Sequence, residues 1–141
     1  GGCYLLNEAI FFQIIDMFPY PMVVYSPSYR VKMASRAFLE VVNHSEKLLD
    51  KDEELFNWHN AVDLQLVEAS RKVFAGESNR LHNLKDPFSL FAGKTRQECA
   101  KSGIYNSAAV FPVMNDENEI THGVIVFLPN TCRKDTRRDE N

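Results

Sequence analysis

The stretch that decides the fold is IYNSAAVFPVMNDENEITHGVIVFL, residues 104–128. Ile104 to Met114 reads as a strand, Asn115-Asp116-Glu117-Asn118 supplies turn chemistry, and Glu119 to Leu128 is a second strand rich in Val and Ile. Two such runs joined by four turn formers predict an antiparallel hairpin. Upstream, Ser78 to Ser102 is interrupted by Pro87 and Gly93 yet keeps Leu81, Leu84, Phe88, Leu90 and Phe91, which predicts one strand and a long loop. Before it, Asn60 or Ala61 to Ala75 is a helix, with Val62, Leu66, Ala69 and Val73 at steps of four, three and four, and Gly76 as its C-terminal stop.

The first half completes the pattern. Glu46 to Asn60 is charged and broken, and Leu48, Leu49, Leu55, Phe56 and Trp58 anchor short helical turns there, with Ser45 as a cap. Ser35 caps a helix over Arg36 to Val42 whose buried side is Ala37, Phe38, Val41 and Val42. Met22 to Tyr25 and Arg30 to Met33 are two short strands around the turn Ser26-Pro27-Ser28. Leu5 to Phe18 is a helix with Leu6, Ile10, Ile14 and Met17 along one face, ended by Pro19 and Pro21. Phe11, Phe12 and Ile15 lie off that stripe, so this helix carries more apolar surface than one contact needs.

Composition narrows the classes. The chain has 141 residues, 45% hydrophobic and 25% charged, with 16 basic and 19 acidic side chains for a net charge of −3. That is the profile of one soluble domain able to build its own core. A pI near 5.8 gives no basic excess for displacing counterions from phosphates, so direct nucleic-acid binding is not expected. Cys3, Cys99 and Cys132 are scattered with no CxxC pair, which points to a reducing cytoplasm and to no structural metal. Asn7, Glu8, Gln13 and Asp16 interrupt the one early apolar run, so neither a membrane span nor a signal peptide is expected. After Pro129, Arg133-Lys134-Asp135 and Arg137-Arg138-Asp139-Glu140 form a solvated charge run. Both ends read as cuts through a longer polypeptide.

Helix, two strands, short helices, a longer helix and three strands is an order that resembles a PAS domain. Pro21-Met22-Val23-Val24-Tyr25 resembles that family's first strand. Arg30-Val31-Lys32-Met33-Ala34-Ser35-Arg36-Ala37-Phe38 resembles its second strand and first internal helix. Val113 to Ile120 with Gly123-Val124-Ile125-Val126 resembles its closing hairpin. The sequence departs from the family at Ser35, where Asn is frequent, and at Tyr29 and Asn118, where Gly is frequent. Leu128-Pro129-Asn130-Thr131 keeps only the Thr of the Asp-Ile-Thr ending common in bacterial members.

The resemblance implies an α+β fold: an antiparallel five-stranded sheet, short helices on one face and an extra N-terminal helix. It divides the chain into a flanking, dimerising helix (1–20), a PAS core (21–129) and a charged linker (130–141) towards an effector outside this chain. It implies a sensory module of a bacterial or archaeal signalling protein, of the two-component or transcription-regulating kind. Such a module takes a small molecule or a partner and passes the signal on through flanking helices and the closing hairpin. The alternative is a ligand-free PAS-like module for protein–protein interaction, its interior fully packed.

No residue pattern supports catalysis. There is no G-x-S-x-G elbow, and Gly93-Lys94-Thr95 lacks the first glycine of a phosphate-binding loop, Phe88 standing in its place. Haem-binding relatives take an iron ligand from the long helix or beside it, and Val62 to Ala75 holds no histidine. His44 and His122 read as solvated or hydrogen-bonded side chains, His59 and His82 as cavity candidates. The covalent flavin adduct of light sensors needs a cysteine in an Asn-Cys-Arg-Phe-like motif; Asn57-Trp58-His59-Asn60 holds none. The cofactor, if any, stays open, non-covalent flavin included.

The residues expected around a ligand are Tyr25, Phe38, Phe56, Asn57, Trp58, Phe74, His82, Tyr105 and Asn106, with Val67, Phe88 and Phe111 as further walls. The competing reading is that these aromatics fill the core. Leu6, Phe11, Phe12 and Ile15 are the expected interface of a homodimer, because apolar side chains left in water cost about 25 cal/mol per Å².

Overall fold

The computed structural model describes residues 2–42, 56–91 and 104–129. Helix α1 spans Gly2–Asp16 and is followed by β1 (Met22–Tyr25), β2 (Val31–Ala34) and helix α2 (Arg36–Val42). A 3-10 turn at Trp58–Asn60 precedes α3 (Leu64–Lys72), which tightens into a second 3-10 turn at Val73–Ala75. Then come β3 (Asn79–Leu81), a 3-10 turn at Pro87–Leu90, β4 (Ser107–Met114) and β5 (Ile120–Leu128). The five strands form one sheet in the order β2-β1-β5-β4-β3, every neighbouring pair antiparallel. This is the expected α+β architecture.

Local chemistry explains why the elements stop where they do. The Ser35 hydroxyl accepts from the Phe38 amide at 3.2 Å, capping α2. It also accepts from the Met22 amide and donates to the Tyr20 carbonyl, both at 2.9 Å, so one buried hydroxyl joins the α1–β1 link to the start of α2. Gly76, at φ 92°, ends the 3-10 turn in the left-handed conformation. Its amide bonds the Val73 carbonyl while that of Glu77 bonds Lys72, the paired pattern of a glycine C-cap. In the closing hairpin the Asn115 side-chain oxygen accepts from the amides of Glu117 and Glu119, and Asn118 takes φ 63° in place of glycine.

Alternation along the strands divides the core in two. Val23, Tyr25, Ala108, Val110, Ile125 and Phe127 face the helices and turns and join one large cluster with α2, α3 and the 87–91 segment. Val24, Val124 and Val126 face the other way and are covered by Ile15, with Phe18 and Tyr20 alongside.

Three expectations are corrected. The docking face of α1 is not the Ile10, Ile14, Met17 stripe, which stays exposed; Ile15 is the residue buried, at 6% exposure. The chain drops onto the sheet through Phe18 and Tyr20, so this link selects the contacting side of the last turn. The long helix starts at Leu64, three or four residues late, because Asp63 adopts extended backbone and the Val62 amide bonds Ser89 Oγ at 2.9 Å. Phe111 is no interior wall: with Val110 pointing inward, the two-residue period turns Phe111 outward. The short turns expected over 46–55, most of the loop over 92–102 and the charged run after Pro129 lie outside the described residues.

Candidate functional site

Two groups of rings occupy the space between sheet and helices. The first joins Tyr25, Tyr29, Phe56, Trp58 and Phe74. Tyr25 lies 4.9 Å from Phe56 and 5.8 Å from Phe74 between ring centres, and Phe56 lies 5.3 Å from Trp58. These distances are those of rings in direct contact. The second group is Phe38, Phe88, Phe91 and Phe127, with Tyr105 edge-on against Phe88 at 6.2 Å. Phe56 and Phe91 join the groups at 5.3 Å and also share an isolated antiparallel bridge.

Tyr25 is fixed at both ends. Its hydroxyl donates to the Ser70 carbonyl of α3 at 2.8 Å. Opposite it on β5 stands Gly123, where an added Cβ would lie 2.6 Å from the Tyr25 ring. The missing side chain is therefore what lets the ring cross β5. Burial, and then the neighbouring Tyr29, push the Tyr25 phenol up, so it stays a neutral donor.

Tyr29 is the residue that sequence reasoning missed. It sits in the left-handed region at φ 65°, in a turn closed by Tyr29 N–H to Ser26 O at 2.8 Å and Ser26 N–H to Arg30 O at 2.9 Å. The conformation costs about 1–2 kcal/mol for a non-glycine residue. In return the ring meets Trp58 at 5.1 Å and Phe74 at 5.7 Å. The signal was present as a tyrosine where a turn wants glycine, and it marked a ring needed in the core. Trp58 is half-buried, and the Arg71 guanidinium lies 4.3 Å above its ring.

The polar candidates separate. Asn57 donates its backbone amide to the Leu90 carbonyl at 2.6 Å, tying the 58–60 turn to the 87–90 turn. His82 is exposed and offers only its backbone carbonyl, to Gln65 Nε2 at 3.4 Å. Asn106 accepts the Leu84 amide on its backbone carbonyl at 2.9 Å, and its Oδ1 is buried with no partner among the described residues. Burial, then Tyr20 and Glu40, push the adjacent Tyr105 phenol up.

A carboxylate missed by sequence reasoning holds the floor of this region. Asp63 is buried, and its two oxygens accept the backbone amides of Lys85 and Asp86, each at 2.8 Å. Burial, and then the Asp63 charge, push the Asp86 carboxyl up. Ser89 Oγ donates to the Asp86 carbonyl at 2.6 Å, completing the link between the start of α3 and the 83–90 segment. The expected helix began at Asn60 or Ala61 and so placed Asp63 inside its first turn, where nothing in the sequence signals a long-range bond.

On the opposite side of the sheet, Phe11 and Phe12 are 49% and 55% exposed, while Ile15 is used within its own chain. The free surface of α1 therefore comprises Phe11 and Phe12 with Ile10 and Ile14, extended by Met17 just past its end. The side chain of Leu6 lies outside the described residues. Among the described residues no helix is long and apolar enough to cross a membrane.

No family model matches the sequence, and no curated protein matches it. Solved structures do match in fold. The PAS domain of BvgS from Bordetella pertussis is 12% identical, with 96% of this chain and 99% of that chain covered at a TM-score of 0.53. The PAS domain of an HTR-like protein from Haloarcula marismortui is 8% identical over 92% and 96%, at 0.56. A phage VqmA protein in complex with DPO is 13% identical; the match covers 99% of this chain and 59% of that one, at 0.57. The chain has the PAS fold.

Proposed function

We propose that this chain is a sensory PAS module of a larger signalling protein. It binds a small molecule between sheet and helices, pairs with a second copy through α1 and passes the signal to an effector through its flanking segments. The observation that carries this reading is the state of α1: a helix docked on the back of a PAS sheet by Ile15, with Phe11, Phe12 and three further large apolar side chains in water. Such a surface is expensive to leave uncovered, and a second copy offers the same surface in return. The match to VqmA, whose solved complex contains DPO, supports a small-molecule ligand. The domain division stays as the sequence gives it: helix 1–20, core 21–129, linker 130–141. A soluble, cytoplasmic, non-catalytic module fits the same reading.

A second reading has its own support. Tyr25, Phe56, Trp58 and Phe74 already pack ring against ring, as the interior of a ligand-free interaction module would. Sedimentation equilibrium of the protein and of a Phe11→Ser/Phe12→Ser double variant tests the pairing. A dimer that the two substitutions convert to monomer without loss of helical signal is expected. An unsubstituted protein that stays monomeric at high concentration would overturn it.

A further inference from the structure

We infer that Asn106 is the polar anchor for the interior ligand and that this ligand is a small, mostly apolar molecule donating one N–H or O–H hydrogen bond. The inference rests on the sensor reading above and assigns the chemistry of its site. Asn106 Oδ1 is a buried side-chain oxygen with no hydrogen-bond partner among the described residues. The buried side chains of Ser35, Ser70 and Asp63 have spent theirs. Ser35 makes three bonds, Ser70 Oγ donates to the Val67 carbonyl at 2.8 Å, and both Asp63 oxygens accept backbone amides. A buried acceptor left unpaired loses its hydration with nothing in exchange, so native interiors rarely leave one.

The backbone that carries this oxygen is held on both sides. The backbone of Asn106 is fixed by the Leu84 amide on one side and by the start of β4 pairing, Ser107 opposite Leu128, on the other. Its neighbours Leu84 and Tyr105 are a buried aliphatic and a half-buried ring resting on Phe88. A water held there needs two to four polar partners, and the orphaned oxygen supplies one. A ligand with an apolar body and a single donor satisfies the oxygen and leaves no polar group of its own unpaired. Of the three polar residues expected at the site, His82 faces solvent, and Asn106 is the one with a buried side-chain atom that has no partner among the described residues.

The test uses matched probes on the whole 141-residue chain: phenol against anisole and indole against 1-methylindole, each pair differing in the donor hydrogen. Titrations followed by ligand-observed NMR should show the donor-bearing member binding about tenfold more tightly, the worth of one buried hydrogen bond. Asn106→Leu should abolish that preference. In the unsubstituted protein the Asn106 side-chain amide resonances should move on adding phenol and stay on adding anisole, a readout that does not depend on the variant folding. Equal binding within each pair, a preference for anisole, a preference that survives Asn106→Leu, or no binding of any probe at millimolar concentration overturns the inference. A small molecule that co-purifies equally with Asn106→Leu and with the unsubstituted protein sinks the anchor and leaves the sensor reading standing. If nothing co-purifies and no probe binds, both fall.

Discussion

Replacing Gly123 with Ala should destabilise the domain although it adds only one methyl group to a strand. The new Cβ would stand 2.6 Å from Tyr25 Cζ and 2.7 Å from its hydroxyl oxygen, where carbon atoms in contact keep about 3.5–4.0 Å. The ring must therefore move by about 1 Å. Overpacking of this kind costs about 1–3 kcal/mol. The displaced hydroxyl also gives up its 2.8 Å bond to the Ser70 carbonyl, which leaves a buried group unpaired at about 1–3 kcal/mol. Alanine returns about 1 kcal/mol by restricting the unfolded chain. The net loss is about 1–5 kcal/mol, centred near 3. Urea unfolding followed by circular dichroism reads it directly. Repeating the substitution in a Tyr25→Phe background, where the hydroxyl bond is already gone, should shrink the loss by about 1 kcal/mol or more. A Gly123→Ala protein within about 0.5 kcal/mol of the unsubstituted one would refute the close approach of Tyr25 to β5.

Two further outcomes are expected. Asp63→Ala strands the amides of Lys85 and Asp86 and should cost about 2–4 kcal/mol in urea unfolding; a loss below about 1 kcal/mol would mean that the carboxylate does not hold the 83–90 segment. Burial first, and Lys32 second, hold the His122 imidazole below its ordinary value of 6.5, so between that value and the depressed one the unfolded chain binds a proton that the folded chain does not. This contribution to stability is complete above pH 6.5 and is lost as the pH falls through that window, and His122→Gln should show a flatter pH dependence there; parallel profiles for the two proteins would count against it.

Much of the framework was legible because it rests on local chemistry. The Ser35 cap, Gly76 and the 115–118 turn each act within a few residues, and each does in the structure what its residue type predicts. The strands themselves were likewise legible, and in the structure their alternation sets Val23, Tyr25, Ile125 and Phe127 on one side of the sheet. What could not be read were choices made by contacts distant in sequence. Ile15 is buried, and Ile14 is not, because the 17–21 link fixes how α1 meets the sheet. Asp63 binds a loop more than twenty residues away and makes no side-chain bond to the helix it precedes. Tyr29 accepts a strained turn because four rings surround it, a reason invisible from the turn itself. At the candidate site the residue types were legible, but which polar atom stays unpaired depends on the finished packing.

The central claim is that this PAS fold serves as a paired, ligand-binding sensor, and native mass spectrometry of freshly purified protein tests it most directly. The sensor reading predicts a dimer whose mass exceeds twice that of the chain by a defined small molecule. A monomer at the bare chain mass would contradict it and would favour a packed, ligand-free interaction module.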